Sequence, residues 1–305
     1  MRQSISKYLT SASFGFLIVA QIIPIHARAV EANSAVPDFS GIWGRNSFAY
    51  EPPTTGLGPV ENTSRLPSGR LDSTTLIGDY GNPILNPEAA ETVKRFGEIS
   101  RSGKGFPDPN NQCWPEGPPY IYRVLVNQII QQRDQIIILY SFDHQFRRIS
   151  LNKGHPTRIT PSWYGDSVGH FEGDTLVVDT VGVKVGPFSM IDRYGTPYSE
   201  AMHVVERLRL IDRETANAAM RRNEEKNGRI GPEGGGGRAD PKDMGKGLEV
   251  EFTVDDPKTF TASWSGRATY RRSVETWDER VCSENLHNFG VADDPQVPFA
   301  NTPDF

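Results

Sequence analysis

Between residues 120 and 180 the chain offers one strand-like apolar run after another with almost nothing between them. The runs are 120–126, 128–132, 134–142 and 145–149, followed by the stretch Trp163 to Thr180, WYGDSVGHFEGDTLVVDT. Parallel neighbours need crossovers of a dozen or more residues, usually helical, so runs this closely spaced predict antiparallel pairing. The last stretch places the glycine-containing acidic turn Glu172-Gly173-Asp174 before the apolar Leu176-Val177-Val178, which is a hairpin signal. Further on, 248–254, 259–265 and 268–272 read as closing strands, with Asp255-Asp256-Pro257-Lys258 as a turn. Segment 199–211 admits a helix through Val204, Leu208 and Ile211, but Val204-Val205 with Leu208 and Leu210 reads better as a strand. The expected fold is mainly β: about ten antiparallel strands in a single barrel or strongly curled, lipocalin-like sheet, with a β-sandwich as the alternative.

The remainder of the chain frames this domain. Residues 1–29 have a basic start at Arg2 and Lys7, an apolar run over 12–25 and the small-x-small Ala27-Arg28-Ala29, the pattern of a cleaved signal peptide. The expectation is a periplasmic or secreted protein with no stable membrane span after cleavage. Residues 30–112 form a loop-rich segment holding one helix, which Asn86 caps and Pro87 opens; 49–82 read as surface loop. The barrel domain is assigned to 113–285. Its insertion 213–247 combines a short helix at 214–225 with Gly234-Gly235-Gly236-Gly237, and 286–305 is a C-terminal extension. The two cysteines, Cys113 and Cys282, suit a disulfide in an oxidising compartment and are too few for a structural zinc site. With 33 basic against 38 acidic residues and no basic block, a phosphate-tracking nucleic-acid face is disfavoured.

Candidate chemistry comes from charges set beside apolar strands. As a strand, 202–210 puts Val204, Glu206, Leu208 and Leu210 on one face and His203, Val205, Arg207 and Arg209 on the other. Glu206 among aliphatics would be desolvated, with a raised pKa suited to proton transfer, unless an arginine such as Arg148 or Arg123 pairs with it. His155 and His203 are further candidate proton carriers, and Arg123 or Arg148 could anchor an anionic substrate. Tyr120, Tyr122, Tyr140, Trp163, Tyr164 and Trp264, with Asp179, could line a pocket for a planar molecule, although barrel aromatics also fill cores. His144 and His287 carry no pattern. No nucleotide motif, histidine metal spacing or serine elbow is present, so no cofactor and no metal are expected.

Cys113 to Pro119, Arg148-Ile149, Gly165 to Thr180, Glu206-Arg207, Asp256-Pro257 and Cys282 to Glu284 together resemble a large family of secreted, mostly uncharacterised bacterial β-rich proteins. Phe171 departs from that family's usual Trp, as does the glycine-rich insertion before Leu248. Some similar proteins are associated with cofactor-free lyase or decarboxylase steps on lignin-derived aromatic dimers. The resemblance therefore implies a decarboxylating or formaldehyde-releasing lyase acting on a small aromatic compound. A non-catalytic carrier of such a ligand, or an envelope protein with a filled barrel, are the alternatives.

Overall fold

The structure is a computed structural model, and it describes residues 36–69, 71–142, 145–227, 240, 242–274 and 282. The signal segment, His144, His287, the four glycines and the C-terminal extension lie outside the described residues.

Nine strands close into one barrel in sequence order. They are β1 (Gly41–Gly44), β2 (Val126–Gln131), β3 (Gln135–Tyr140), β4 (Phe146–Leu151), β5 (Asp166–Glu172), β6 (Thr175–Val181), β7 (His203–Ile211), β8 (Gly247–Asp255) and β9 (Trp264–Arg272). Every neighbouring pair is antiparallel except β4 and β5, which run parallel through Ser150↔Val168 and Leu151↔Gly169. The expected all-antiparallel sheet is corrected here, and the reason is parity. Going once around a closed barrel, strand direction must return to itself, so the number of antiparallel junctions is even. Nine strands therefore leave one junction parallel. Segment 152–165 makes the return crossover that this junction requires.

Alternation decides which side chains face inward. On β7, Val204, Glu206 and Leu208 are buried, while Arg207 and Arg209 are exposed. The β5–β6 hairpin forms as expected, with Glu172 opposite Thr175 and Gly173 at φ +63° in the first turn position, a conformation that costs glycine little. The interior is filled by Trp43, Trp264, Tyr140, Tyr270, Phe252 and the Ile and Val residues around them.

Two other expectations are corrected. Residues 120–126 are not one strand: Tyr120–Arg123 is a 3-10 turn, closed by Tyr122 N–H to the Pro119 carbonyl (2.9 Å) and Val124 N–H to the Ile121 carbonyl (3.0 Å), and β2 starts at Val126. Residues 259–265 are mostly turn, because Asp256 draws in the N–H groups of Thr259 (3.0 Å) and Phe260 (2.8 Å) through its carbonyl. Both expected helices form. In α1 (Pro87–Arg101) the Asn86 side chain accepts from Ala89 N–H, as a cap should. The charged stretch after β7 forms α2 (Arg213–Asn227).

Strand direction also sorts the connections. Connections 45–125, 182–202 and 256–263 leave the same end of the barrel, whereas the tight β2–β3 and β5–β6 turns and the start of α2 after β7 lie at the other. Segment 49–82 is not plain surface loop. Glu51 bridges to Arg267 of β9, and Val60, Asn62 and Ile77 are buried. Among the described residues no helix is long and apolar enough to cross a membrane.

Candidate functional site

Charged groups collect in three places. The first is the barrel interior. Glu206 is fully buried and meets Arg147, whose Nη1 donates to Oε1 at 2.7 Å and whose Nη2 donates to Oε2. Tyr122 Oη also donates to Oε1. Arg147 binds Ser167 Oγ through Nε (3.1 Å) and Nη2 (3.0 Å), and Nη2 reaches Thr180 Oγ1 at 2.7 Å. The anticipated partners of Glu206 are thus corrected: Arg148 is off by one residue of register, and Arg123 pairs with Glu116 instead. Arg147 faces inward on β4, and Arg148 is exposed on the outer surface. Tyr122 stacks on Phe252, and Trp264 packs edge-on to both Phe252 and Phe260. With Tyr140, buried alongside Arg147, these aromatics are core.

The second group lies on the outer face. His155, on the crossover, bonds Asp166 Oδ1 through Nδ1 (2.6 Å) and Asp179 Oδ1 through Nε2 (3.1 Å). His203 Nε2 reaches the same Asp179 oxygen at 2.9 Å. Burial opposes the charged form of His155, but its hydrogen bonds to the two aspartates, together with their charge, outweigh it and raise its pKa above the ordinary value. Sequence reasoning named His155, His203 and Asp179, and the fold brings them together on an open surface. Trp163 and Tyr164 lie nearby in the chain but serve other contacts: Trp163 packs on Trp114, and Tyr164 Oη donates to Gln145 Oε1 at 3.0 Å. Among the described residues no group of three or more His, Cys, Asp or Glu is arranged to hold a metal ion.

The third place is a narrow cleft among the long connections at one end of the barrel. Phe48, Tyr50, Tyr120 and Tyr194 supply aromatic walls, and Arg123, Asp192, Arg193, Glu61 and Lys226 supply charge. Tyr50 fixes its floor, donating to the Ile191 carbonyl at 2.5 Å and packing edge-on to Phe252. Arg123 donates through Nε to Glu116 Oε1 at 3.0 Å and lies over the ring of Tyr120. Lys226 pairs with Glu61 at 2.5 Å. Asp192 is 4 % exposed; its Oδ1 accepts the N–H groups of Tyr194 (2.8 Å) and Thr196 (3.2 Å), while its Oδ2 is buried with no hydrogen-bond partner. Burial raises its pKa to about 6, against the smaller lowering by the nearby Thr196 hydroxyl and by those two N–H groups. Arg193 lies over the ring of Phe48 at 4.9 Å.

No protein-family model, curated protein or solved structure matches the chain. The cleft is therefore read from its own geometry. Of the residues named from sequence, Tyr120 and Arg123 line it. Asp192 and Arg193 were missed. The available signal was an adjacent acid and base between the apolar Ile191 and Tyr194, but their burial depends on Tyr50 and Val60, which are distant in the chain.

Proposed function

We propose that this protein is a carbon–carbon lyase that takes a small, lignin-type aromatic compound into the end cleft, with Asp192 moving the proton. The observation that carries this reading is the buried Asp192 carboxyl among the cleft's aromatic walls: one oxygen accepts the Tyr194 and Thr196 N–H groups, and burial raises its pKa to about 6. A carboxyl that titrates there exchanges its proton close to neutral pH, which suits general acid–base work. The aromatic walls favour a planar guest, and the cleft's narrowness favours a small one.

Two reactions balance around such a group. In a decarboxylation the substrate carboxylate leaves as CO2, its bonding pair stays on the former neighbour carbon, and neutral Asp192 protonates that carbon. In a formaldehyde-releasing cleavage the Asp192 carboxylate takes the proton of a hydroxymethyl group. The carbon–carbon bond then breaks, formaldehyde leaves, and the same proton returns to the carbon left behind. Export to the periplasm belongs to this proposal.

The test is incubation of the purified protein with lignin-type aromatic acids and alcohols, followed by mass spectrometry. Wild type should release CO2 or formaldehyde, and Asp192→Asn should slow turnover by about 10²–10⁴-fold while still binding the compound. Binding without conversion by wild type would replace the lyase with a carrier. Failure of every compound to quench tryptophan fluorescence would leave only the envelope-protein reading.

A further inference from the structure

Of the cleft's three cationic side chains, two are already matched: Arg123 by Glu116 and Lys226 by Glu61. Arg193 differs. Its guanidinium lies over Phe48 and forms no ion pair among the described residues; Asp108 acts on it only through space. Burial lowers its pKa, yet an arginine keeps its charge in such surroundings. A half-buried guanidinium, planar and braced on an aromatic ring, is prepared for a planar anion, because its fork matches the two oxygens of a carboxylate. Among the described residues none pairs such an anion with it.

We infer that Arg193 is the subsite for a carboxylate carried by the ligand, so that the cleft selects aromatic acids over the corresponding alcohols and amides. This rests on the proposed ligand cleft but not on the lyase chemistry. It also assigns the two unmatched groups separate tasks: Arg193 holds the anion, and Asp192 attends to the reacting end. A ligand with two such ends, a carboxylate and a hydroxymethyl or second carboxyl group, satisfies both.

The experiment titrates the full-length protein with a hydroxylated, methoxylated benzoic acid, its benzyl alcohol and its benzamide, read by calorimetry. Wild type should bind the acid at least about tenfold more tightly than either neutral compound, as expected for a charge-assisted hydrogen bond. Arg193→Gln should abolish that preference by weakening the acid alone, and Arg193→Lys should retain part of it. Asp192→Asn should keep the preference, which separates anion binding from proton transfer. Equal binding of acid and alcohol to wild type overturns the inference and leaves the cleft standing. Binding of none of the three overturns both. Should Arg193→Gln fail to fold, the wild-type comparison of acid with amide decides alone.

Discussion

Asp192 carries an energetic liability that a merely structural residue would shed. Its pKa rises from the ordinary carboxyl value of 3.8 to about 6 in the fold, so the native state holds this proton more tightly than the unfolded chain does. The stabilisation is complete below the unfolded value and is lost as pH rises through about 6. A shift of that size corresponds to about 3 kcal/mol of stability lost across the window. Asparagine can still accept the Tyr194 and Thr196 N–H groups but does not ionise. Urea unfolding of wild type and Asp192→Asn should therefore show wild type losing ground by about 3 kcal/mol between pH 4 and pH 8. A difference independent of pH would show that the carboxyl is not desolvated. The residue escaped sequence reasoning because its one local mark, an acid and a base between Ile191 and Tyr194, does not foretell burial; its environment is assembled by segments far away in the chain.

Among the elements, the β4–β5 junction is as thinly paired as β1–β9, each with two paired positions against seven between β5 and β6. Arg147 crosses it from inside. Its guanidinium, rooted on β4, grips Ser167 of β5, Thr180 of β6 and Glu206 of β7. Glu206 thus contributes to barrel closure, and its partner was readable only to within one residue. Alternation shows that one of Arg147 and Arg148 faces inward, but only the register with β3 settles which. Removing one member of a buried pair strands the other charge, so Arg147→Met should cost about 3–5 kcal/mol. Hydrogen exchange should then accelerate most at Ser150, Leu151, Val168 and Gly169, ahead of the β7–β8 ladder. Arg147→Met combined with Glu206→Leu should recover much of the loss. Uniform acceleration around the barrel would contradict the bracing role.

For the molecule as a whole, strand content and closure were legible because the period-2 pattern is strong from β2 to β9. The folded cover over one end was not. Segment 49–82 lacks periodicity, and its burial comes from contacts with β9 and α1 rather than from its own sequence. A covalent tie joins distant parts: Cys113 bonds Cys282 across a sequence separation of 169. Constraining so long a loop in the unfolded chain is worth about 4–5 kcal/mol in the chain-entropy model. Cys113→Ser with Cys282→Ser should lower the thermal midpoint accordingly, and reduction of wild type should reproduce the drop. An unchanged midpoint in both would mean that the bond contributes nothing to stability.

The odd strand count also limits how this architecture can be lengthened or trimmed. Adding or deleting a hairpin changes the count by two, leaving one like-directed junction and its returning crossover in place. A single strand gained or lost would make the total even, and the chain would have to dispense with the crossover that carries His155 or acquire a second one. Redesign by hairpins is therefore compatible with this closure, whereas redesign by single strands requires a different route through the sheet.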